Sequence, residues 1–93
     1  MFVYTKVKQD LLLALKTMKE YLNEINKYKD KYRFQDKNEL SIEFMVKCDG
    51  LYYDKYGNAW FREFTKEENN EVQALIDQCG ELKHAVYDAI MAL

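Results

Sequence analysis

Residues 39–48 read Glu39-Leu40-Ser41-Ile42-Glu43-Phe44-Met45-Val46-Lys47-Cys48, and their period decides the fold class. Leu40, Ile42, Phe44, Val46 and Cys48 alternate with Ser41, Glu43, Met45 and Lys47. Alternation of this kind is the mark of a strand with one buried face. Asp49-Gly50 follows, a favoured two-residue hairpin turn. The spacing therefore predicts strands at about 39–48, 51–55 and 59–64, with a second turn around Lys55-Tyr56-Gly57-Asn58. Short connections between consecutive strands favour a meander over crossed topologies.

On either side of this region the period is helical. Tyr4, Leu11, Met18, Ile25 and Tyr32 recur every seven residues. Val7, Ala14, Tyr21 and Tyr28 fall three later, and Leu15 and Leu22 four later. Such a stripe predicts a helix over about 5–32 with one apolar face. Lys6, Lys16, Lys19, Asn23, Lys27 and Asp30 occupy the opposite, solvated face, and Gln35-Asp36-Lys37-Asn38 reads as a loop. Thr65-Lys66-Glu67-Glu68 has the spacing of a capping box, a hydroxyl at the cap and a carboxylate three residues on. It opens a predicted helix over about 65–93, whose stripe is Val72, Cys79, Val86 and Leu93 with Leu75, Leu82 and Ala89. Gly80 falls on its polar side, costs about 1 kcal/mol relative to alanine, and is expected to ease a bend or a close contact.

The expected architecture is thus α+β, one domain over residues 1–93 in the order α-β-β-β-α, with two long helices enclosing an antiparallel meander. Each helix would extend roughly 40 Å at 1.5 Å per residue. Three short strands cannot cover stripes of that length, so the excess is expected to pack helix on helix, within the chain or across a homodimer.

Composition limits the function classes. The chain has 93 residues, 48% of them hydrophobic and 15% aromatic, with no proline and three glycines, which marks a folded chain. Residues 1–33 carry eight basic and four acidic side chains and residues 34–93 six and twelve. The split is +4 and −6 within a net charge of −2. Twelve of the fourteen basic residues are lysine, which lacks the bidentate fork that reads guanine. Charge and composition together argue against a general nucleic-acid or membrane binder. No apolar run approaches the ~20 residues of a membrane span, and Met1-Phe2-Val3-Tyr4 leads into charge rather than a signal peptide. A cytoplasmic location is the expectation, with Cys48 and Cys79 reduced on buried faces, where thiols act as small hydrophobes.

None of the residues capable of chemistry forms a convincing constellation. His84 is the only histidine, flanked by Lys83 and near Asp88, with no second imidazole for a metal set. A Cys–His pairing of Cys48 or Cys79 with His84 is weaker than core packing for both thiols. Asp54 to Glu68 fails as a calcium loop, because Tyr56 stands at the third position and Ala59 at the sixth. There is no phosphate-cradling glycine loop and no nucleophile elbow. Glu67, Glu68 and Glu71 sit where negative charge offsets a helix macrodipole. No catalytic residue, metal or cofactor is expected, and hence no enzyme.

Tyr52, Tyr53, Tyr56, Trp60, Phe61, Arg62 and Phe64 crowd a thirteen-residue stretch. In the expected hairpin both faces carry large aromatics, of which only one meets the helices, and tyrosine, tryptophan and arginine dominate binding hot spots. The predicted partner-binding residues are therefore Tyr52, Tyr53, Tyr56, Trp60 and Arg62. Glu67, Glu68 and Glu71 join them, since with Asp77 and Glu81 they are able to imitate a phosphate row. These features point to a small non-catalytic factor that binds another protein, as an inhibitor, adaptor or accessory subunit. In size, acidity and lysine-rich composition the chain resembles accessory proteins of phages and mobile elements, the anti-CRISPR proteins among them. That resemblance implies an inhibitor that binds a host protein complex. The alternatives are a nucleic-acid-binding regulator using the lysine face of the first helix, and a binder of a small ligand at a dimer seam.

Overall fold

The apolar stripe of the N-terminal segment closes into helix α1, Tyr4–Lys27. Its buried face is Val7, Leu11, Ala14, Leu15, Met18, Tyr21 and Ile25. At Tyr28 the backbone leaves helical angles (φ −116°, ψ 46°), and a single further turn, α2, spans Lys29–Tyr32. Tyr32 stays buried, and its hydroxyl donates to Glu24 Oε1 at 2.5 Å, bridging the break. The computed structural model describes residues 4–48 and 64–93, of which 88% are helical.

The largest correction falls on residues 39–48. They are not a strand: Lys37–Cys48 forms helix α3, and no strand occurs among the described residues. The expected α+β, α-β-β-β-α order is therefore not supported: its first strand is a helix, and the described residues contain no sheet. Two physical reasons account for the difference. Asp36 is a helix cap rather than a loop residue, its Oδ1 accepting from Asn38 N at 2.8 Å and Glu39 N at 3.1 Å. Leu40 N then bonds to Asp36 O, the first helical rung. Second, alternating apolar residues in a helix fall on two opposite sides, because two residues advance about 200°. Leu40 and Phe44 share the buried side, while Ile42 and Val46 stand on the other. The predicted strands at 51–55 and 59–64 lie outside the described residues apart from Phe64, which is half-buried and packs edge-on against Tyr4 at 5.8 Å.

Helix α4, Lys66–Met91, begins with the capping box that its sequence announces. Glu68 N donates to Thr65 Oγ1 at 3.1 Å and Thr65 N donates to Glu68 Oε1 at 2.9 Å. Val72, Leu75, Cys79, Val86 and Ile90 make its buried face. Gly80 sits at no close approach, since a Cβ there would meet nothing within 4 Å.

Contacts along their length show that α1 and α4 run parallel. Tyr4 meets Phe64 and Glu71, Cys79 reaches the Leu11 carbonyl, and Ala92 and Leu93 lie beside Lys29. Helix α3 runs back antiparallel against the second half of this pair. Lys37 Nζ at its start donates to Met91 O at 3.0 Å, a cation on the carbonyl end of α4, which has no basic residue in its own last turn. Phe44 then enters between Tyr21 (centroids 5.5 Å apart) and Tyr87 (5.1 Å, perpendicular). The three helices thus enclose one apolar core, closed by Leu40 and Phe44 from α3.

Candidate protein-binding surface

Helix α3 positions its outward stripe through its inward one. Leu40 and Phe44 are anchored in the core, which turns Ile42, Met45 and Val46 to the surface, where they are 60%, 47% and 76% exposed. Phe34, in the turn between α2 and α3, is 83% exposed. Ile42, Met45 and Val46 stand at i, i+3 and i+4, so they form one continuous patch on a helix. An exposed apolar stripe on an ordered helix is unfavourable in water unless something covers it, which makes it informative in a way that scattered surface leucines are not. Glu43 and Lys47, paired at 3.9 Å, flank the stripe, and Lys47 also reaches over the Tyr21 ring at 5.8 Å.

Of the eight residues expected to bind a partner, Tyr52, Tyr53, Tyr56, Trp60 and Arg62 lie outside the described residues. Glu67 is exposed in the first turn of α4. Glu68 is committed to the capping box. Glu71 accepts from the Tyr4 hydroxyl and pairs with Lys8, tying the start of α1 to α4. These contacts hold the Glu71 carboxyl below its usual pKa, through the Lys8 and Tyr4 hydrogen bonds, and raise both Lys8 and Tyr4, chiefly through Glu71. The two committed acids therefore fasten the ends of helices, and the three do not form one free acidic row.

The chemistry-bearing residues are dispersed. Cys79 is a fully buried thiol whose Sγ donates to the Leu11 carbonyl at 3.8 Å; the side chain of Cys48 lies outside the described residues. His84, five residues after Cys79, is exposed and about 140° around the same helix. The two are not a dyad. Among the described residues no three His, Cys, Asp or Glu side chains gather as a metal set, and no helix is long and apolar enough to cross a membrane.

Sequence reasoning placed Ile42 and Val46 on the buried face of a strand and so missed them as surface residues, while Met45 stands on the solvent side in both readings. The signal that finds them is Asp36-Lys37-Asn38-Glu39, an aspartate cap with a glutamate three residues on, in the stretch that reads as a loop. Among the described residues the arrangement is two long parallel helices, α1 and α4, with the short helix α3 packed antiparallel against them and an exposed apolar stripe on its outer side. Against protein-family models, curated proteins and solved structures, the chain matches none.

Proposed function

We propose that the chain is a non-catalytic protein-binding factor that takes its partner on the outward stripe of α3. The observation that carries this reading is the exposure of Ile42, Met45 and Val46 on a helix whose other side is locked in the core by Phe44. Anchors at i, i+3 and i+4 are the pattern with which an amphipathic helix enters an apolar groove. The fitting partner is therefore a protein with a hydrophobic groove about two helical turns long, with Phe34 reaching its rim. The aromatic stretch Tyr52, Tyr53, Tyr56, Trp60 and Arg62, which follows α3 in the sequence, belongs to the same reading as a second contact.

A photo-crosslinking side chain placed at position 46 tests it, with the same group at Glu20, exposed on α1, as the control. The expected result is a discrete adduct from position 46 only, competed away by unmodified protein and lost in an Ile42→Glu chain. Equal labelling from both positions, or an adduct indifferent to Ile42→Glu, would overturn the proposal. The double variant Ile42→Glu, Val46→Glu should keep its helicity and melting temperature, because both side chains already stand in water.

A further inference from the structure

A different surface lies where α1 and α4 meet away from α3. The parallel helices leave a groove of about 300 Å³ lined by Leu15, Lys19, Gln78, Glu81, Leu82 and Ala85. Its floor is apolar and its two rims differ in sign, Lys19 on α1 and Glu81 on α4. Among the described residues, neither rim charge is held in an ion pair. Leu12, 46% exposed, extends the apolar floor by a turn on the α1 side. Leu15 and Leu82 of the floor also belong to seven-residue series, with Leu22 on α1 and with Leu75 and Ala89 on α4, the spacing that keeps a seam facing a partner helix.

We infer that this groove is covered by a second copy of the chain, related by a two-fold axis parallel to the helices. The charges choose that axis. A two-fold along the helix direction sets α1 of each copy on α4 of the other, so each Lys19 meets the partner copy's acidic rim and each Glu81 its basic rim. A two-fold perpendicular to the helices would set α1 on α1 and lysine on lysine. The parallel arrangement also brings Leu12 and Leu15 onto the floor formed by Leu82 and Ala85, and it is isologous, so it closes at two copies. Its size is adequate. A face two helices wide, roughly 20 Å, and about 36 Å long offers on the order of 700 Å² per copy, close to the ~800 Å² of a standard interface. This inference does not rest on the proposed function, because it uses the side of the molecule away from α3.

Sedimentation equilibrium on four samples tests it: the wild-type chain, Lys19→Glu, Glu81→Lys, and an equimolar mixture of the two variants. The wild type should be a concentration-dependent dimer. Each variant alone places like charges on both facing rims and should dimerise about tenfold more weakly, two rim pairs having turned repulsive. The mixture restores opposite charge at both contacts and should recover the wild-type association. Leu12→Glu should be monomeric, with unchanged helicity. A wild type that stays monomeric into the millimolar range would overturn the inference. So would single variants that associate as the wild type does, or association lost in Ile42→Glu, Val46→Glu and kept in Lys19→Glu, which would seat the second copy on α3.

Discussion

Replacing Phe44, Ile42 and Val46 one at a time by alanine separates the helical reading of residues 37–48 from the alternating one. Phe44 is fully buried, with Tyr21 at 5.5 Å on one side and Tyr87 at 5.1 Å on the other. Truncating such a ring removes its transfer energy, leaves a cavity and loses two aromatic contacts, about 3–5 kcal/mol in all. A chain of 93 residues is expected to have roughly 5–14 kcal/mol of stability in total. Phe44→Ala should therefore move the urea midpoint far down while leaving a folded baseline. Val46 is 76% exposed, so only about a quarter of its ~1.5 kcal/mol burial term is present. The gain in helix propensity on Val→Ala, about half a kcal/mol, cancels it. Ile42→Ala should cost less than about 1 kcal/mol for the same reasons. In a strand with Leu40, Ile42, Phe44 and Val46 on one buried face, each of these truncations would instead cost about 2 kcal/mol or more. Urea unfolding followed by circular dichroism at 222 nm gives the three values directly. Phe44→Ala and Val46→Ala within 1 kcal/mol of each other would refute the assignment of α3's inner and outer sides.

Further outcomes follow from single contacts. Gly80→Ala should stabilise by about 1 kcal/mol, because the new methyl meets nothing within 4 Å and the helix loses its most flexible interior residue; a lower melting temperature would contradict the open space beside Gly80. Asp36→Ala should cost about 1 kcal/mol and melt α3 first, seen as faster amide exchange at residues 39–44 with α4 unaffected. The Tyr32 phenol, hydrogen-bonded to Glu24 and partly desolvated, has its pKa pushed up to about 12. A folded value above the unfolded ~10 means that this contact contributes fully below pH 10 and is lost as pH rises toward 12. Ultraviolet titration of Tyr32→Phe should lack a tyrosinate step near pH 12 that the wild type shows, and Glu24→Gln should move that step down toward 10.

The two long stripes are legible because heptad spacing over several turns has one simple reading. Tyr4–Lys27 and Lys66–Met91 are where the apolar residues at three- and four-residue intervals place them, and the Thr65–Glu68 cap marks its helix to the residue. The Tyr28 break was not legible, since the stripe runs on through it to Tyr32. Residues 37–48 misled for a specific reason. Five apolar residues in alternation describe a one-sided strand or a two-sided helix equally well, and Ile, Val and Phe favour the strand by propensity. The arbiter was the Asp36 cap, reinforced by burial of Leu40 and Phe44 against Tyr21 and Tyr87, a tertiary contact that no local pattern contains. The same ambiguity hid the candidate surface. Read as a strand, Ile42 and Val46 are core; read as a helix, they face out. The commitment of Glu68 and Glu71 to capping and to Lys8 was legible only in part, because the Tyr4–Lys8–Glu71 contact depends on α1 and α4 running parallel.

Residues 37–48 form a helix with Leu40 and Phe44 inward and Ile42, Met45 and Val46 outward. Backbone and side-chain nuclear magnetic resonance of the full chain tests it most directly. Helical ¹³Cα shifts and sequential amide–amide contacts are expected from Lys37 to Cys48. Ring contacts are expected from Phe44 to both Tyr21 and Tyr87, and none from Val46 to α1 or α4. Extended shifts over 39–48, with Ile42 and Val46 sharing the contacts of Phe44, would contradict that arrangement.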